Sequence, residues 1–218
     1  MSAGSAAGEG AREARAQTES RERREARERI LSTAEPLFLA QGLGAVTMDA
    51  IAAALRMSKK TLYQHFPSKE ALCVAAIERA MDVLDAELER IISAEGKSFD
   101  EVLSRVVALV AARLKGTGLL LEELERDAPA LYERLQVLRR EVIHRRPFAL
   151  LTSGVASGAL RSDVRPELVL RVMLTMAQHV IEPRALAELG MDPADAYQQA
   201  MSMIFEGIRA PRRAPVVT

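Results

Sequence analysis

The sequence predicts an all-α fold in two parts, a three-helix unit near the N-terminus and a larger helical domain behind it. Three observations carry that prediction. Ala, Leu, Arg and Glu dominate the composition, all of them good helix formers, and no segment alternates apolar and polar residues. Apolar residues recur instead at steps of three and four along most of the chain. Two short helical segments, 48–55 and 59–66, are separated only by Arg56, Met57 and Ser58, the spacing of a helix-turn-helix.

At 218 residues, 49% of them hydrophobic, the chain can build one large or two small helical cores. The formal net charge is zero, which excludes a strongly basic chain held to nucleic acid by its overall field. The distribution is more telling. Of 30 basic residues only five are Lys, and Lys59, Lys60 and Lys69 crowd into the helix-turn-helix. A lone cysteine, Cys73, excludes an intramolecular disulfide framework. With no run of 18 apolar residues and no signal-peptide core, the expectation is a cytoplasmic protein without a membrane partner.

Taken in order, residues 1–18 are small and polar and are expected to be disordered. A helix follows over 18–41, its Arg-rich start interleaved with Glu22, Glu25 and Glu28 as a surface of ion pairs. Ile30, Ala34, Leu37 and Phe38 give it an apolar face, Pro36 is expected to kink it, and Gly42 to stop it. Thr47 caps the 48–55 helix and Ser58 caps the next, which Pro67 ends. Ser68 opens a long helix to about residue 94, with Ile77, Met81, Leu84, Leu88 and Ile91 as its stripe. Further helices are expected over 98–115, 117–126, 129–157, 166–182 and 193–209. Pro147 should kink the third of these, while Pro166 and Pro193 suit first turns. The domains are therefore drawn as 19–70 and 71–210, with a flexible tail over 211–218.

The second helix of the pair has the chemistry of a groove reader. Lys59, Lys60, Thr61, Tyr63, Gln64 and His65 all offer hydrogen-bond donors, whereas Leu62 and Phe66, four apart, anchor the helix to its own domain. The string TLYQHFPSKEAL resembles the signature of TetR-family transcriptional regulators, and the specific resemblance covers about residues 27–75. Looser similarity continues in GLLLEELERDAP and SGALRSD. The resemblance implies an N-terminal helix-turn-helix DNA-binding domain and a C-terminal helical ligand-binding and dimerisation domain. It implies a homodimer reading two half-sites of a near-palindromic double-stranded operator; no enzymatic activity, cofactor or metal is expected. Carried over by position, Thr47, Tyr63, His65 and Lys69 look like phosphate contacts, and Lys59, Lys60, Thr61 and Gln64 occupy positions that face bases. One position departs from the pattern. Arg56 stands where the family often has Gly, so the turn either avoids positive φ or tolerates strain, and Arg56 could itself reach a phosphate.

The ligand half carries no family-wide motif, so its expectations come from placement. Val110, Leu114, Leu120, Phe148, Leu151, Met176 and His179 should converge between helices, where bundle ligands bind. Leu, Val and Met with few aromatics suggest a small apolar, aliphatic effector. In the last two helices, Leu168, Val172, Met176 and Val180 form one stripe, and Tyr197, Met201, Ile204 and Ile208 another. Leu170, Met173, Met203 and Phe205 lie off those stripes and leave apolar surface for a dimer. The expected activity is that of a ligand-responsive repressor. Two alternatives stand beside it: a redox switch through Cys73, near a helix N-terminus that could lower its pKa, and a metal or acid-base enzyme pairing His144 with His179 in the bundle. The second has no HExxH, CxxC, GxSxG or phosphate-loop motif behind it.

Overall fold

The computed structural model describes the backbone of residues 3–210 and the side chains of residues 17–141, 146–176 and 179–210. It contains α1 (Ala3–Ala45), α2 (Met48–Leu55), α3 (Lys59–His65), α4 (Lys69–Ile92), α5 (Phe99–Leu114), α6 (Gly118–Asp127), α7 (Pro129–Ala156), α8 (Pro166–His179), α9 (Pro183–Leu189) and α10 (Pro193–Ile208). Among the described residues the only β pairing is an isolated bridge between Leu160 and Arg209. No helix among them is long and apolar enough to cross a membrane.

Local chemistry explains the element boundaries. The Thr47, Ser58 and Ser68 hydroxyls accept the backbone N–H groups of Ala50, Thr61 and Ala71, so α2, α3 and α4 each start on a side-chain cap. Ser98 and Glu101 form a reciprocal capping box at α5, and Asp192 caps α10 behind Pro193. Gly42 breaks α1 with φ 77°, as its position before the turn predicts. Two expectations need correcting. The first helix reaches back to Ala3, well inside the stretch expected to be disordered, because its Ala, Glu and Arg favour a helix. The segment after residue 180 is a separate helix, α9, started by Pro183 and ended by Gly190 in the left-handed region. The tail 211–218 lies outside the described residues.

The helices enclose two cores that meet along α4. The first gathers Ile30, Ala34 and Phe38 of α1, Ile51 and Leu55 of α2, Leu62 and Phe66 of the reading helix, and Leu72 and Cys73 of α4. It also takes Leu120, Leu121 and Leu124 of α6 with Tyr132 and Leu135 of α7. A boundary at residue 70 therefore cuts through a packed core. The second core runs from Leu84, Leu88 and Ile91 of α4 through α5, α7, α8 and α10. The contiguous stripe on α4 thus serves one core with its N-terminal part and the other with its C-terminal part.

Gly154 marks a close helix approach. A Cβ there would stand 2.9 Å from Leu160 Cδ1 and 2.5 Å from Phe99 Cε2. Overpacking of this kind costs about 1–3 kcal/mol, against a helix-propensity gain of about 1 kcal/mol for Ala over Gly. Gly154→Ala is therefore expected to be destabilising on balance, by about 1 kcal/mol in denaturant unfolding at unchanged m-value. A stabilised Gly154→Ala protein would show that Phe99 and Leu160 yield freely.

Candidate functional site

Helix α3 stands on the protein by two buried side chains, Leu62 and Phe66, which are 0% and 2% exposed. The polar side chains lie on the opposite face. Lys59, Lys60, Tyr63 and Gln64 are exposed, and Thr61 and His65 are half-buried at the flanks. The Arg27 guanidinium lies 4.3 Å over the Phe66 ring and donates to the His65 carbonyl at 3.4 Å, so α1 clamps the end of the reading helix. Burial, with Arg23 and Arg27 nearby, holds the His65 pKa below the ordinary imidazole value. Its ring is neutral near pH 7 and can donate one hydrogen bond rather than supply a charge.

Four of the expected contact residues already have partners inside the protein. Lys59 Nζ lies 2.8 Å from Asp49 Oδ1 on α2, and its hydrogen bond to that carboxylate raises the Lys59 pKa. Lys69 Nζ donates to the Leu43 carbonyl at 2.7 Å and more distantly to Gly44, which ties the start of α4 to the last turn of α1, beyond its break at Gly42. The Thr61 hydroxyl is 2.7 Å from Ser58 Oγ. Thr47 accepts the Ala50 N–H at 3.1 Å and remains exposed. Lys60, Tyr63 and Gln64 have no such internal partner among the described residues and form the open centre of the face.

Arg56 settles the open question about the turn. It adopts φ 52°, ψ 40°, the left-handed region, and it is the one non-glycine residue with positive φ among the described residues. Its backbone N–H closes α2 on the Ala52 and Ala53 carbonyls while the side chain stays exposed. Holding a side chain in this conformation costs about 1–2 kcal/mol. Arg56→Gly is accordingly expected to raise stability by about 1 kcal/mol in thermal or denaturant unfolding. If the side chain also meets a phosphate, the same variant loses DNA affinity, so the two readouts move in opposite directions.

Behind the reading head lies a cavity of about 240 Å³. Its wall includes Phe38 and Leu39 of α1, Cys73 and Ile77 of α4, and Leu120 and Leu121 of α6. The larger core contributes Leu84, Leu88, Val106, Leu150, Met173 and Met201 among others. Of the expected ligand residues, Val110, Leu114, Leu120, Leu151 and Met176 do line it. Phe148 and His179 do not. Both are exposed, because α7 and α8 turn Leu150, Leu151, Met173 and Met176 inward instead. Most of the further lining residues are apolar, but the cavity wall also holds charged ones that sequence periodicity gave no sign of, Glu35, Arg113 and Arg139 among them. Glu35 is held by Arg79 at 2.9 Å and faces Arg113 at 3.9 Å, while Arg113 also pairs with Glu87 at 2.7 Å.

The redox alternative loses ground in the structure. Cys73 is completely buried, and burial pushes its thiol up to about 12, overriding the helix N-terminus that was expected to lower it. The pairing of His144 with His179 falls outside what the structure describes: His179 is exposed on α8, and the His144 side chain lies outside the described ones.

The same regions are found in known proteins. Residues 30–76 match the family model for bacterial regulatory proteins of the tetR family. The chain is 26% identical over 189 residues to the HTH-type transcriptional repressor DhaR of Mycobacterium sp. (strain GP1), covering 84% of this chain and 91% of that one. It is 33% identical over 103 residues to the repressor KstR of Mycolicibacterium smegmatis, covering 47% of this chain and 50% of the relative. The solved structure of PfmR, a TetR-family regulator of Thermus thermophilus, superposes with a TM-score of 0.54 at 25% identity, covering 82% of this chain and 97% of that one.

Proposed function

The chain belongs to the TetR family of DNA-binding transcriptional regulators, and on that footing we propose that it is a repressor that binds a near-palindromic operator as a homodimer and is released by a small apolar effector. The observation that carries the reading is the single open face of α3, where Lys60, Tyr63 and Gln64 stand exposed on a helix fixed by Leu62 and Phe66. In a major groove, Gln64 would bond an adenine edge and Lys60 a guanine or a phosphate, with Thr47, Tyr63 and His65 on the backbone. Lys59, Thr61 and Lys69 join only by sharing or exchanging the partners they hold within the protein.

The cavity supports the effector half of the proposal. Its wall includes residues of α1 and α4 on one side and α6 on the other, so a ligand filling it presses on helices that carry the reading head. Helix α6 adds a direct link: Glu123 Oε2 accepts the Gly44 N–H at 2.9 Å, in the last turn of α1 just before Thr47. A coupling of about 1–3 kcal/mol between cavity and reading head is sufficient for regulation. The dimer half rests on apolar surface left outside. Leu168 and Val172 of α8 are 63% and 46% exposed, and Met203 of α10 is 71% exposed. The α8 stripe predicted from sequence is not the buried one: α8 buries Val169, Leu170, Met173 and Met176 and turns Leu168 and Val172 out, whereas α10 buries Tyr197 and Met201 as its stripe predicts. Of the four residues expected to lie off the stripes, Met203 is exposed, while Leu170, Met173 and Phe205 are buried in the core.

The test begins with selection of bound sequences from random duplex DNA, followed by titration over a salt series. Affinity should fall steeply with salt, and Lys60→Ala should weaken binding and flatten the log-log slope by about one if Lys60 meets a phosphate. Binding indifferent both to salt and to substitution of Lys59, Lys60 and Gln64 would remove α3 from the reading role.

A further inference from the structure

Among the described residues, the cavity wall contains a cation with no counter-ion. Glu35 and Arg113 are paired with Arg79, Glu87 and each other, and Lys115 is exposed. Arg139 of α7 differs. It lines the cavity with only part of its surface open to water, and its one hydrogen bond among the described residues is a long one, 3.4 Å to Gln136 Oε1. No carboxylate is in ion-pair contact with it there. Burial draws its pKa below the usual guanidinium value, yet an arginine cannot escape the cost by losing its proton. Beside it on the same helix, at steps of four and three, stand Tyr132 and Gln136, and the Tyr132 hydroxyl is buried without a hydrogen-bond partner among the described residues. Of these only Arg139 lines the cavity, and an uncompensated cation at the edge of a largely apolar wall is an arrangement that an anionic ligand completes.

We propose that the cavity takes an amphipathic anion, an aliphatic chain ending in one carboxylate, whose head pairs with Arg139 and whose tail lies among Leu84, Leu88, Val106 and Leu151. This deepens the effector reading above and rests on it. The planar guanidinium can hold a carboxylate through two parallel N–H donations. Most of the remaining wall is apolar, so a short polar anion would leave it unfilled.

Decanoate and decanol, equal in chain length and different in charge, are the probes. Binding to the full-length protein is measured by calorimetry and by thermal shift, for the natural sequence and for Arg139→Met and Arg139→Lys. The expected result is that the natural protein prefers decanoate over decanol, that Arg139→Met loses roughly tenfold or more of its decanoate affinity while keeping decanol, and that Arg139→Lys recovers part of the loss. Without ligand, Arg139→Met should melt no lower than the natural protein, since it removes an unpaired buried charge. Equal binding of acid and alcohol, no binding of either, or decanoate binding untouched by Arg139→Met would overturn the proposal. Operator release is read separately. Decanoate that binds through Arg139 without releasing DNA leaves the anion site standing and removes the effector reading. Release by decanol, with decanoate ignored, does the opposite.

Discussion

Replacing Leu168 and Val172 together by Glu is expected to give a monomer whose operator affinity is lower by about a hundredfold or more. The two residues are one helical turn apart on α8 and contribute nothing to either core. Four carboxylates brought together across a two-fold axis oppose association, because a C2 interface presents the same patch twice. The loss in DNA binding follows from the geometry of two half-sites. A dimer engages the second half-site at high effective concentration, and that advantage commonly amounts to roughly 10²–10⁴. Sedimentation equilibrium and DNA titration on the same preparation check both statements, with circular dichroism showing that the helices persist. A variant that remains dimeric and binds operator normally would place the interface on another surface, such as that around Met203.

Leu124→Ala is expected to lower stability by about 2–5 kcal/mol, the range for truncating a fully buried leucine. Leu124 is 0% exposed and sits in the same cluster as Ile30, Ile51 and Leu62, although it is contributed by α6. The consequence reaches the reading head: DNA binding should be lost at a temperature several degrees lower than in the natural protein. For the same reason a fragment ending near residue 82 is expected to fold poorly, since it lacks Leu120, Leu121, Leu124, Tyr132 and Leu135. Denaturant unfolding of the variant and hydrogen exchange of α2 and α3 check the claim. A loss below about 1 kcal/mol, or a fragment with native protection, would show that α6 merely covers the unit instead of completing it.

The parts of the fold that were legible in the sequence are those decided by neighbours a few residues away. Thr47, Ser58, Ser68 and Asp192 each cap a helix because the N–H they accept lies two or three residues ahead. The reading face of α3 was legible for a similar reason, since Leu62 and Phe66 alone could turn inward. Periodicity failed on α8, where apolar residues occupy more than one face and Leu168 competes with Leu170 for the core. Only the packing of α8 against α7 decides that competition. It also failed for the partners of Lys59 and Lys69, which come from earlier helices. Arg139 was invisible for a third reason. One arginine among many carries no signal until the surrounding carboxylates are seen to be elsewhere. Helix α9 was missed because seven residues between Pro183 and Gly190 are too few to display a period.

The ion pair between Lys59 and Asp49 bears on how the protein would travel through a genome. A free lysine on the reading helix would adhere to any phosphate it met. Lys59 must first leave Asp49, and the carboxylate left behind then faces the same polyanion. Adhesion to arbitrary sequence is thereby weakened, while a matching site repays the exchange with base contacts. In a chain of zero net charge the background attraction is already small. Dwell times on wrong sequence should therefore be short, and the search should proceed by frequent detachment and return more than by long slides along the duplex.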